Sequence, residues 1–113
     1  MEHKLKLQPK YFRYINEGTK RVELRLYDEK RKNINIGDII EFVKEPELKE
    51  SIKVKVIGLL RYNSFRTLVN DLDISIVADS SETKETLLKD LEEFYTPDKQ
   101  EKYGVLGIRI EKI

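Results

Sequence analysis

The stretch whose reading decides the fold is EGTKRVELRLYDEKR, residues 17–31. Val22, Leu24 and Leu26 alternate there with Arg21, Glu23, Arg25 and Tyr27. In a β-strand successive side chains point to opposite faces, so the spacing predicts a strand over residues 20–27 with one aliphatic and one charged face. Alternation by itself makes this a half-buried strand whose charged face meets water. A cluster of Lys20, Glu23 and Arg25 is also what a binding site for an oxygen-rich ligand would use.

Upstream, KLKLQ (residues 4–8) alternates and predicts a first strand. Pro9 suits the first turn of a helix and Gly18 the residue just past its end, with Tyr11, Phe12 and Ile15 on one face between them. Downstream, DEKRKNINIGD reads as a charged loop ending in a turn at Gly37-Asp38, and IIEFV (39–43) as a strand. IKVKVIGLL (52–60) is a strand rich in β-branched residues, whose internal Gly58 predicts a bulge or close backbone approach. Ser64 caps a helix carrying Phe65, Leu68, Val69 and Leu72 at helical spacing. After a looser segment at 71–81, Ser80 or Ser81 is the expected cap of a second helix with Leu87, Leu88, Leu91, Phe94 and Tyr95 inward. Thr96, Pro97 and Gly104 bracket a short helical turn. VLGIRIEKI closes the chain as a strand with Leu106, Ile108 and Ile110 on one face. The order β-α-β-β-β-α-α-β spaces its strands too closely for a doubly wound parallel sheet. The expectation is α+β: a small mixed, barrel-like sheet with flanking helices.

A chain of 113 residues has room for one core, so residues 1–113 are read as a single domain. Net charge is +1, which argues against a strongly basic, histone-like binder. The charge is uneven: residues 1–62 hold 15 Lys/Arg against 10 Asp/Glu, and residues 63–113 hold 7 against 11. A basic half joined to an acidic half permits a local surface for anions. Cysteine is absent, which excludes disulfides, thiolate metal sites and Cys nucleophiles, and the one histidine, His3, lies at the N-terminus. No metal site and no cofactor are therefore expected. No apolar run approaches a membrane span, and MEHKLKLQ lacks a signal-peptide core, so a soluble cytoplasmic protein is expected.

GTKRVELRLYDEKR, followed by INIGDIIEF and VKVIGLLRYNSF, resembles the ASCH domain family, a branch of the PUA-like fold. The family's G-x-K-x-x-E-x-R signature reads here Gly18, Lys20, Glu23, Arg25. A G-D pair (Gly37-Asp38) opens the next strand, and a Y-G-V-L-G run (Tyr103 to Gly107) begins the last. The resemblance implies a five- or six-stranded barrel with a cleft at the signature strand, and RNA or a nucleoside or nucleotide as partner. Some small ASCH proteins remove the acetyl group of N4-acetylcytidine with a lysine, a threonine three residues later and a glutamate elsewhere. Lys20 matches the lysine, Glu23 stands at the threonine's position, and Asp79 or Glu82 lies in the neighbourhood of the second acid.

The candidate site residues follow. Lys20, Arg21, Glu23 and Arg25 can hold a phosphate or carbonyl oxygen, with Glu23 as acceptor or proton carrier. Lys20 would act as a base only if its pKa fell to roughly 7–8, and is otherwise an electrostatic clamp. In YDEKRK (27–32), Lys30 and Arg31 can clamp a phosphate while Tyr27 stacks on a base and Asp28 orients a cation. A charged loop with its own ion pairs is the plain alternative. Arg61 and Tyr62, just beyond a strand end, complete the set. A binding module for RNA or a modified nucleoside is the favoured reading. A nucleobase amidohydrolase (or ribonuclease) using Lys20 and Glu23 is the alternative.

Overall fold

The computed structural model describes residues 1–113. Its elements are β1 (Glu2–Leu7), α1 (Pro9–Glu17), β2 (Val22–Leu26), a 3-10 turn (Arg31–Asn33), β3 (Ile39–Lys44) and β4 (Ser51–Tyr62). They continue with α2 (Phe65–Asp71), α3 (Ile74–Val77), α4 (Lys84–Phe94), α5 (Pro97–Tyr103) and β5 (Val105–Lys112). The five strands form one curled sheet in the order β1-β3-β4-β5-β2, a half-barrel flanked by helices. Only β1 and β3 run parallel; the other neighbours are antiparallel. This is the α+β class that the element order predicts.

Local chemistry accounts for the elements. Pro9 opens α1, and Gly18 closes it at φ 86°, a left-handed conformation that costs a residue with a Cβ. Ser64 caps α2 by accepting from the Thr67 N–H. Two expectations need correction. The cap of α4 is Thr83, which exchanges hydrogen bonds with Thr86 in a capping box, and neither Ser80 nor Ser81. The looser segment contains a helical turn, α3, capped by Asp73. Gly58 sits at a register shift between β4 and β5, and a Cβ there would lie 3.0 Å from Arg109 Cδ, so the expected bulge is also a close approach.

Two apolar cores result. One fills the concave side of the half-barrel, where Phe12 and Ile15 of α1 meet Phe42, Val54, Val56, Leu106, Ile108 and Ile110. The other lies on the convex side, where Val22, Leu24, Leu26 and Val105 pack against Phe65, Leu68, Val69, Leu87 and Leu91. Gln100, buried in α5, accepts from the Phe65 N–H at 2.9 Å and donates to the Tyr95 carbonyl at 2.8 Å, tying three helices together.

The two cores correct the reading of β2. All five of its residues are buried, the charged ones included. Glu23 is paired with Ile108 and Arg25 with Leu106, so their side chains share the concave face with that core. The charged face of the strand points into the half-barrel and not into water.

Candidate functional site

The site begins where α1 ends. The N–H groups of Gly18, Thr19 and Lys20 all return to carbonyls of the last turn, at Ile15 and Tyr14. That tight reversal delivers the Lys20 side chain to the inside. Its ammonium donates to the Val77 carbonyl at 2.6 Å and the Val22 carbonyl at 2.8 Å, and lies 3.4 Å from Glu23 Oε1. Glu23 Oε1 also accepts from the Leu24 N–H, and Oε2 accepts from Arg25 Nε at 2.9 Å. Arg25 Nη2 then reaches the Lys6 carbonyl at 2.7 Å. Lys6 is on β1 and Arg25 on β2, so this guanidinium bridges the two end strands of the half-barrel.

These contacts set the charge states. Burial pulls the Lys20 ammonium below the usual lysine range, while Glu23 pulls the other way. The three surrounding oxygens suit an ammonium with three N–H donors; a neutral amine would turn its lone pair on one of them. For Glu23, burial favours the protonated acid, but Arg25 and Lys20 together hold the carboxyl below the usual range. Arg25 is penalised by burial, outweighed by Glu23, and stays charged. The trio is a buried, hydrogen-bonded ion network with no spare lone pair on Lys20.

The network floors a cavity of about 120 Å³ in the gap between β1 and β2. Its walls are mixed: Leu7, Tyr11, Leu24, Leu87, Leu91 and Tyr95, with Phe94 at the mouth, stand beside Lys6, Gln8 and Glu45. An engineered apolar cavity of about 150 Å³ takes up benzene, so this space suits one planar ring and not a whole nucleoside. Phe94, expected to face inward as core, is 51% exposed. A half-exposed aromatic beside a charged floor is a surface on which a base can stack. Arg25 Nη1 has no carboxylate or carbonyl partner within the chain, and the Tyr95 hydroxyl lies beside the guanidinium.

A second polar cluster props the wall. Lys10 donates to Glu82 at 3.1 Å and to Asp90 at 3.0 Å, and the Tyr11 hydroxyl donates to Asp90 at 3.1 Å. These bonds lock α1 to α4 and stand the Tyr11 ring over Lys20, 5.5 Å from the ammonium. Burial and the two acids push the Tyr11 phenol far above its usual range, so it is a donor and stays one.

The other sequence candidates are distributed around this centre. Arg21 is exposed and lies outside the cavity, its N–H spent on the Ile76 carbonyl. Tyr27 is covered by Arg61, whose guanidinium carbon stands 3.9 Å from the ring centroid; the two candidates meet each other away from the cavity. Tyr62 donates to Asp71 at 2.6 Å, a brace between β4 and the end of α2. Asp28 pairs with Arg31 at 3.0 Å, and Lys30 and Arg31 line a neighbouring furrow. Of the acids considered as a second carboxylate, Asp79 accepts from the Ser81 N–H and Glu82 holds Lys10. Sequence reasoning missed Lys6, Gln8, Tyr11 and Glu45 in the wall. No signal marked them, because they gather only when β1 curls round to β2.

No group of three or more His, Asp or Glu side chains is placed to hold a metal ion. No helix is long and apolar enough to cross a membrane. The hypothetical protein PH0355, known from a crystal structure, is similar to this chain over the full length of both, at 39% identity and a TM-score of 0.86. Protein PF0455 from Pyrococcus furiosus, solved by NMR, is 35% identical with a TM-score of 0.78, covering all of this chain and 98% of its own. No curated protein matches the chain. The sequence profile of the ASCH domain matches residues 5–113, the same span that carries Lys20, Glu23 and Arg25 into the gap of the half-barrel: the chain belongs to the ASCH domain family.

Proposed function

We propose that this protein is a binding module for RNA or a modified nucleoside, and that the cavity between β1 and β2 receives one base. The observation that carries this reading is the combination of an aromatic mouth, Phe94 and Tyr95, with a floor whose charges satisfy one another but leave Arg25 Nη1 without a carboxylate or carbonyl partner. A base carbonyl can meet that donor while its ring stacks at the mouth. Because the floor is assembled before any ligand arrives, little ordering is left to oppose binding.

A binder is favoured over a hydrolase by the state of the trio. Lys20 donates to its neighbours, and Glu23 accepts from three, so neither is free to take a proton from water. The test is fluorescence anisotropy with short single-stranded RNA at about 50 and about 200 mM salt, together with product analysis on N4-acetylcytidine. The expected result is salt-dependent RNA affinity that falls about tenfold or more in Phe94→Ala, in line with the roughly 1–3 kcal/mol of one base–aromatic stack. No affinity at low salt, or turnover of N4-acetylcytidine that disappears in Lys20→Ala, overturns the binder reading.

A further inference from the structure

We infer that the furrow beside the cavity is a phosphate subsite, so that the ligand is a phosphate-bearing nucleotide, free or within a strand, and not a free nucleoside. The inference rests on the binding reading above and adds the phosphate. The furrow, about 480 Å³, is lined by Lys4, Lys6, Arg25, Lys30 and Arg31, with Glu45 as its single acid. Lys6, Arg25 and Glu45 also line the cavity, so the two spaces share a wall.

The cations differ in how far they are committed. Lys4 leans on Glu41 at 3.6 Å, and Arg31 Nη1 is held by Asp28 at 3.0 Å. Lys6 and Lys30 form no ion pair, and Arg31 Nε is buried without any partner. A buried N–H left unpaired is unfavourable. Asp28 fixes one end of the Arg31 guanidinium beside the furrow, where its charge can face a phosphate. Lys30, exposed next to it, and Lys6, exposed on β1, add point charges, with Glu45 the one carboxylate beside them. The loop does pair Arg31 with its own Asp28, but it holds no acid for Lys30. Here Glu29 is taken by Lys32 at 3.1 Å, which leaves Lys30 outward and free.

The test compares binding of uridine, uridine 5′-monophosphate and a uridine decanucleotide to the wild type and to a Lys30→Gln/Arg31→Gln double variant, with Phe94→Ala alongside. Circular dichroism and thermal melting establish that each variant is folded. The expected result is that the wild type prefers the phosphorylated probes to uridine, and that the double variant loses that preference. Its affinity for the decanucleotide falls about tenfold, and the slope of log affinity against log salt shrinks by roughly 0.7, one phosphate contact on a single strand. Strand binding that weakens in Phe94→Ala but is unchanged in the double variant overturns the phosphate subsite and leaves the base cavity standing. If the strand does not bind, the RNA reading fails; the subsite then survives only if the monophosphate outbinds uridine and the double variant abolishes the difference. Equal binding of monophosphate and uridine, or of neither, overturns it.

Discussion

The two faces of β2 are equally buried by opposite means. On the convex side Val22, Leu24 and Leu26 are covered by α2 and α4, and their burial stabilises the fold by removing apolar surface from water. On the concave side Glu23 and Arg25 are buried with Lys20, and there burial opposes the charges that occupy it. The aliphatic face is self-sufficient: each side chain gains whatever its neighbours do. The charged face holds only as a set, because removing one member leaves the others buried and unpaired. A strand that keeps such a set at the floor of an open cavity gains less from burying it than from burying its aliphatic face.

Breaking the set should therefore do more harm than thinning the core. Glu23→Ala is expected to destabilise the protein by about 3–5 kcal/mol, since it strands two buried cations. Leu24→Ala should cost about 2–5 kcal/mol through lost contacts and a residual cavity, at the lower end because the open gap lets the site relax. Urea unfolding of both variants checks the order; a Glu23→Ala change of less than about 1 kcal/mol would mean that the charges are solvated and the comparison is false. Replacing the whole set, Lys20→Met/Glu23→Leu/Arg25→Leu, sharpens the contrast. Stability should stay close to wild type, as for other buried ion networks exchanged for apolar residues, while RNA affinity is lost.

A smaller effect comes from acid. Asp38, at the start of β3, accepts from His3 Nε2 at 2.8 Å and from the Asn35 N–H, and its carboxyl is lowered from 3.8 to about 2. Between those values the unfolded chain binds more protons than the folded one, so this contribution is present above about pH 4 and fades as the pH falls toward 2. Melting temperatures measured over that interval should drop less steeply in Asp38→Asn than in wild type. Smallest of all is Arg21→Ala. Although Arg21 belongs to the same alternating run as Glu23 and Arg25, its side chain is exposed, and the change should stay within about 0.5 kcal/mol.

The fold was readable because its signals are local. Pro9 and Gly18 bracket α1, Ser64 caps α2, Gly58 marks a bulge, and Leu106, Ile108 and Ile110 share a face, all as spacing predicts. The cap of α4 was misplaced because Ser80, Ser81 and Thr83 are all competent caps, and only Thr83 has Thr86 in position to return the bond. That Lys20, Glu23 and Arg25 come together was legible in the sequence. The walls around them were not, since Lys6 and Tyr11, Glu45, and Phe94 come from three separate parts of the chain.

The alternation of β2 determined by itself that Glu23 and Arg25 share one face and Val22, Leu24 and Leu26 the other, because the period of a strand is a property of its backbone. It also placed Lys20 at the strand's entrance, behind a helix stop that Gly18 makes sharp. Which face meets water was decided only by the tertiary structure. A flat sheet would have left the charges solvated. Here the sheet curls until Arg25 reaches the Lys6 carbonyl across the gap, and that closure turns an outer face into the floor of a cavity. Curvature of this kind depends on the pairing of all five strands, and no one segment of the chain contains it.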